Sequence, residues 1–329
     1  MIRRREVITL LGGAAAAWPV VARAQQTGRL SEITVWMGRT NDAEGQQYAA
    51  AFRERLQALG WTNRRNVRID YRWVTGDLDR VSLAKEIIEQ RPDVILVETT
   101  PAVAAFARES STIPIVFVNV SDPVGGGFVA SLARPGGSIT GFISNEPTLG
   151  GKWTQLLKEV APGVARVGFM FNPEVAPYAE AFMRPAEDAV RSLGIEFLAS
   201  RVRNDGEIEQ AINALGGGSN GGLIVLPDPT TNTRSAFIIG LAARHGLPAI
   251  YAWRFQALGG GLISYGCDLA ESFRDAASYV DRILRGEKPS TLPVQMPTKF
   301  SLVVNLKTAR ALGLEVPWQL QQRADEVIE

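Results

Sequence analysis

The sequence predicts an α/β protein of two Rossmann-like lobes, each a parallel sheet flanked by helices, joined by a three-segment hinge. Three observations carry that expectation. The stretch Ser111–Gly127 (STIPIVFVNVSDPVGGG) sets a buried strand before a polar exit and a glycine turn, and His245–Gly261 (HGLPAIYAWRFQALGGG) repeats the plan. Pro114 recurs as Pro248 and Gly125 as Gly259, both 134 residues apart. Around both stretches, apolar runs of strand length alternate with amphipathic helical segments, the pattern of a parallel sheet covered on both faces. Finally, 329 residues is long for one core and comfortable for two. One large doubly wound sheet is the alternative, and the repeat argues against it.

Taken in order, Ile33–Met37 is a short apolar strand whose polar exit is Gly38–Asp42. Tyr48, Ala51, Phe52, Leu56 and Leu59 then form one helix face, stopped by Gly60. Val67–Trp73 alternates apolar and charged residues as a half-wet strand does. Leu78–Gln90 reads as a helix, Val94–Val97 as a buried strand, and Thr99-Thr100-Pro101 as a hydroxyl cap followed by proline in a first turn. The second half repeats the order: strand Val167–Phe171, helix Ala179–Leu193, stop Gly194, strand Ile195–Val202, helix Glu207–Leu215 and strand Leu223–Leu226. Beyond it come a long helix, Asp268–Arg285, a strand, Ser301–Asn305, a short helix, Leu306–Leu312, and a last helical segment, Trp318–Val327. The crossings fall at Gly141–Leu149, Tyr265–Asp268 and Leu292–Phe300, rich in residues that absorb changes of φ and ψ. The expected division is residues 27–143 with 268–291 as lobe one, and 144–267 with 292–329 as lobe two.

Residues 1–24 read as an address. Arg3, Arg4 and Arg5 precede an apolar run from Val7 to Val21, and Ala22-Arg23-Ala24 supplies small residues for cleavage before Gln25. Paired arginines before a weakly hydrophobic core suggest twin-arginine export to the periplasm. A run of fifteen residues rises about 22 Å as a helix, short of the ~30 Å hydrocarbon core. Cleavage leaves 31 basic against 33 acidic side chains, and the whole chain carries only +1. That balance gives no electrostatic case for nucleic acid. One cysteine, Cys267, excludes an internal disulfide, and one histidine, His245, excludes paired-histidine metal motifs.

Ligands of parallel α/β sheets sit beyond the carboxyl ends of the strands, so the polar exits converge on a cleft. Lobe one offers Thr40, Asn41, Thr99, Thr100, Ser121 and Asp122. Lobe two offers Asn172, Tyr178, Asp228, Thr230, Thr231, Trp253 and Arg254, with Tyr265 at a crossing. Hydroxyls and free amides at a helix start suit a carboxylate, and Thr99-Thr100-Pro101 is the best such candidate. Asp228, set between two prolines, is the better of two acids for a ligand ammonium, Asp122 reading equally as a turn former. Tyr178, Trp253 and Tyr265 could wall an aromatic or apolar group, and Arg254 could read an acidic ligand instead. Plain helix capping is the competing role for any one of these residues, and the core for Trp253.

Catalytic signatures are missing. His245 reads as a last-turn residue of a helix, which leaves no Ser/His or Cys/His dyad. Gly150-Gly151-Lys152-Trp153 resembles the tail of a phosphate loop, but Glu146 stands where glycine is required and Trp153 where Ser or Thr is. Neither an enzyme nor a cofactor is called for.

With these residues on the page, the chain resembles the solute-binding proteins of ABC transporters, in the family typified by binders of tryptophan and related aromatic solutes. The resemblance rests on SDPVGGGFVASLARPGGSITGF (Ser121–Phe142), LISYG (Leu262–Gly266), SFRDAASYVDRILRGEKPSTLPVQMPTKFSLVVNLKTARALGL (Ser272–Leu314) and RADEVIE (Arg323–Glu329). It implies a type I periplasmic-binding fold and a monomer that captures a small solute for an inner-membrane permease. The ligand shell it implies is the set of strand ends already named. A sensor presenting its solute to a membrane receptor is the alternative. The chain departs from the family at Val97-Glu98-Thr99-Thr100, where GTP, TGT or TGS steps are usual.

Overall fold

A computed structural model describes residues 29–75, 79–109, 112–218 and 220–329. Residues 1–24, read from the sequence as an export address, lie outside the described residues. Two sheets organise the chain. The first has the order β2-β1-β3-β4-β5, from β1 (Ser31–Met37), β2 (Val67–Trp73), β3 (Val94–Glu98), β4 (Ile115–Val120) and β5 (Ile139–Ile143). The second begins β7-β6-β8-β9-β10, from β6 (Arg166–Phe171), β7 (Glu196–Arg201), β8 (Gly221–Val225), β9 (Ala249–Tyr251) and β10 (Ile263–Cys267). The internal repeat is therefore a repeat of strand order. All pairings within these two sets are parallel.

Helices fill the crossovers. In the first sheet they are α1 (Ala43–Ala58), α2 (Arg80–Glu89) and α3 (Thr100–Glu109). In the second they are α4 (Leu149–Val160), α5 (Ala179–Leu193), α6 (Asp205–Gly216), α7 (Pro229–Thr233), α8 (Ser235–Arg244) and α9 (Arg254–Leu258). The apolar spacing read from the sequence is the buried face of α1: Tyr48, Ala51, Phe52 and Leu56 are all buried. Asp42 caps α1 by accepting from the Gly45 amide at 2.8 Å, and Gly194 ends α5 in the left-handed region at φ 66°. Gly150 lets α4 approach α5, since a Cβ there would lie 2.0 Å from the Phe182 carbonyl.

The long helix α10 (Leu269–Leu284) follows the strands of the second sheet yet packs on α1 and the first sheet. Its Phe273 stacks on Tyr48 at 5.5 Å, and its Asp281 accepts from the Trp61 indole at 2.8 Å. The chain then passes along β5, where the Gln295 amide donates to Gly141 and the Ile143 amide to Gln295, both at 2.9 Å. It returns to the second sheet as β11 (Phe300–Asn305), α11 (Leu306–Ala311), α12 (Trp318–Arg323) and β12 (Glu326–Ile328).

Three expectations change here. Ile139–Ile143 is a strand, so the first crossing begins after it; Tyr265 lies within β10. The last segment stops being helical at Arg323, because Glu326–Ile328 pairs with Val303–Asn305. β11 runs antiparallel to β10, the one exception to parallel pairing among the described strands. No described helix is long and apolar enough to cross a membrane.

Candidate functional site

In each sheet the strand order reverses beside the first strand, between β1 and β3 and between β6 and β8. Such switch points open a crevice at the carboxyl ends, and each one here is spanned by a buried acid. In the first sheet the Gly38 amide donates to Glu98 at 3.1 Å. Arg39 completes the group, its Nη2 2.6 Å and its Nε 3.0 Å from Glu98 Oε1. The Asn119 amide adds a donor at 3.3 Å. In the second sheet the Asn172 amide donates to Asp228 Oδ2 at 2.9 Å. Asp228 also caps α7, accepting from the Thr230 and Thr231 amides at 2.7 and 2.9 Å. The Asn172 side chain donates to Thr230 Oγ1 at 2.8 Å, and the Tyr178 hydroxyl donates to the Pro227 carbonyl at 2.9 Å.

The two acids sit in different fields. Glu98 has a guanidinium beside it; burial works against the charge on Arg39, but Glu98 more than offsets it and holds Arg39 above its ordinary value. Arg39 also lies 4.5 Å over the Tyr48 ring, with Glu44 3.4 Å from its Nη1. Asp228 has backbone amides for partners. Burial pushes it up to about 6, against the pull of the Thr231, Asn172 and Thr230 amides. Burial raises the Tyr178 phenol as well, Asp228 adds to the effect, and the polar Ser121 from the other lobe opposes it.

Two cavities flank these groups, each lined from both sheets. One of about 280 Å³ lies between Arg39, Thr40, Glu98, Thr99 and Asn119 on one side and Asn232, Ser235 and Phe255 on the other. The second, about 560 Å³, lies between Thr100, Ser121 and Asp122 and the segment Glu174–Tyr178. Neighbouring residues of one loop thus serve opposite cavities. Thr99, Asn119 and Asp122 have φ of 84°, 55° and 47°. Asn and Asp tolerate that region, whereas a β-branched threonine there is strained, at a cost of order 1–3 kcal/mol. Thr99 is held by its surroundings, its amide donating to Val118 at 3.2 Å and its carbonyl accepting from Val103 at 3.1 Å.

Thr40, Thr99, Thr100, Ser121, Asp122 and Tyr178 line one or other cavity. Asn172, Asp228, Thr230 and Thr231 form the buried polar knot behind them. Asn41 is exposed and accepts from Gln46. Trp253 is buried, its indole donating to Asn232 at 3.1 Å. Tyr265 stacks on Phe300 at 5.7 Å and lines neither cavity. Arg254 is engaged elsewhere, its Nε 2.6 Å from Glu326. Sequence reasoning missed Arg39, Glu44, Asn119, Ser235 and Phe255. For Arg39 a signal existed: an acid ending an apolar strand, Glu98, demands a buried cation, and Arg39 lies at the neighbouring exit. Ser235 and Phe255 depend on how the second sheet's helices pack, which leaves no mark in composition.

Two like lobes, with strand ends facing each other across cavities and a three-segment hinge between them, define a solute-binding protein of the type I periplasmic-binding class. Residues 41–328 match the model of the family described as ABC transporter substrate binding protein, and the chain belongs to that family. It is a family of binding proteins. A curated relative, the "Tyrosine-binding protein" of Clostridioides difficile, is 24% identical over 271 residues, covering 80% of this chain and 76% of its own. Among solved structures, a conserved domain protein of Vibrio cholerae superposes with TM-score 0.84 at 27% identity, covering 91% of this chain and all of its own. An ABC domain from Streptococcus pneumonia in complex with L-Trp gives TM-score 0.82 at 22% identity with the same coverage. At that identity the likeness speaks for the fold alone.

Proposed function

We propose that the protein is exported to the periplasm, captures an aromatic amino acid or related aromatic carboxylate between its lobes, and delivers it to an ABC permease as a monomer. The observation that carries the reading is the pair of cavities at the strand ends, polar at the switch points and walled by Phe255 or by Phe128 and Tyr178. The relatives that bind tyrosine and L-Trp support the ligand class. The lobes we propose are residues 27–143 with 268–291 and 144–267 with 292–329, with Leu292–Phe300 as the third crossing; Gln295 within it bonds to Gly141 and Ile143 of β5. The proposed ligand shell is the cavity-lining part of the predicted set, with the Asp228 knot fixing its second-lobe side.

The mature chain, from Gln25, is screened by thermal shift and calorimetry against tyrosine, tryptophan and their aromatic acid and amine analogues. A true ligand at a hundredfold excess over Kd stabilises by about 2.7 kcal/mol. No binding by any aromatic compound refutes the ligand class. Export is tested alongside: periplasmic protein should begin at or near Gln25, and Lys at positions 4 and 5 should block its export. Full-length protein in the membrane fraction, or export unchanged by the lysines, refutes the address or its route.

A further inference from the structure

Resting on the reading of the cleft as a solute site, we infer that the smaller cavity selects for positive charge, so that an aromatic amine binds in preference to the matching aromatic acid. Four ionisable side chains line that cavity: Arg39, Asp42, Glu44 and Glu98. The single cation is spent. Arg39 bonds Glu98 through Nε and Nη2 and lies against the Tyr48 ring. One carboxylate thus balances one guanidinium, and two carboxylates remain.

Their environments differ. Asp42 is exposed and holds the Gly45 amide and the Thr40 hydroxyl at 2.8 and 2.5 Å, so water screens much of its charge. Glu44 is half-buried. It accepts from the Tyr48 hydroxyl and lies 3.4 Å from Arg39 Nη1, the nitrogen that Glu98 leaves free. Burial holds Glu44 above its ordinary value in spite of Arg39.

An independent observation points the same way. Ser235, from the facing lobe, lines this cavity, and its Oγ is buried with no hydrogen-bond partner. Buried polar atoms are nearly always paired, so an unpaired hydroxyl in a solute cavity marks a position for a ligand group. An ammonium donates three hydrogen bonds and accepts none; a carboxylate on one side and a hydroxyl on the other are acceptors suited to it. A ligand carboxylate would instead meet three acids set against one cation. Phe255 supplies the apolar wall for a ring. The volume of about 280 Å³ sits at the small end of ligand pockets, suited to a single ring with a short chain.

Three probes share one ring and one chain length: tyramine, a cation; tyrosine, a zwitterion; and 3-(4-hydroxyphenyl)propanoate, an anion. Calorimetry on the mature wild-type chain should give tyramine at least tenfold tighter binding than the propanoate, with tyrosine between them. Glu44→Gln keeps an acceptor for Tyr48 and removes one charge; it should weaken tyramine about ten- to a hundredfold without weakening the propanoate. Asp42→Asn, which preserves the helix cap, should have a smaller effect in the same direction. Propanoate or tyrosine binding more tightly than tyramine overturns the inference while leaving an aromatic solute site intact. So does a folded Glu44→Gln protein that binds tyramine as tightly as wild type. Binding of none of the three overturns the inference together with the proposed ligand class.

Discussion

Glu98→Ala isolates the clearest energetic commitment in the first lobe. The carboxylate is fully buried, with Arg39 2.6 Å away and the Gly38 amide at 3.1 Å. The substitution leaves a guanidinium whose side chain is only 15% exposed, with Glu44 at 3.4 Å as its remaining counter-charge. Breaking one half of a buried pair costs about 3–5 kcal/mol, because the partner's charge is then uncompensated. At about 2–4 °C per kcal/mol for a unit of 150–250 residues, the melting temperature should fall by roughly 6–20 °C. Removing both charges, as Arg39→Met with Glu98→Leu, should cost less than the single change, since desolvation of the pair is relieved along with its attraction. Urea denaturation followed by far-UV circular dichroism measures all the variants, including Arg39→Met and Glu98→Leu alone, which complete a double-mutant cycle. The reasoning fails if Glu98→Ala stays within about 1 kcal/mol of wild type, or if the double variant loses the sum of the two singles.

Two further outcomes are expected. Asp228 titrates near 6 when folded against 3.8 when free, so between those values the folded chain holds a proton that the unfolded chain has released. Its contribution to stability should therefore fall by about 2 kcal/mol as pH rises from about 4 to about 6, and by about 3 kcal/mol over the whole titration. Wild type minus Asp228→Asn, by urea denaturation at each pH, checks it, and a flat difference refutes it. Gly150→Ala should destabilise by about 1–3 kcal/mol, because its Cβ would meet the Phe182 carbonyl across the α4–α5 contact; unchanged denaturation would mean that the helices part at no cost.

The repeat made the fold legible. Strand lengths, helix faces and the 134-residue spacing are local or near-periodic features, and they led to two sheets with the same strand order. The losses came where pairing overrides pattern. Ile139–Ile143 carries a glycine beside a glycine-rich turn, yet forms a strand because β4 lies alongside. Glu326–Ile328 is three residues long and owes its shape to β11. At the site, hydroxyls and acids at strand ends could be read from their positions. Arg39 and Glu98 stand 59 residues apart, and the identity of a buried partner at that distance emerges only when β1 lies beside β3.

The placement of α10 has a consequence for synthesis. The first sheet waits for a helix made after the strands β6 to β10 of the other lobe, and the second waits for β11 and β12 at the far end of the chain. As the polypeptide emerges, no point is reached at which one lobe is complete and the other still unmade. Folding units of this kind are interleaved along the message, so a nascent chain halted near residue 260 holds most of two sheets and closes neither. Competence to hold a solute then arises at a single late moment, and it reports on the integrity of the whole chain at once.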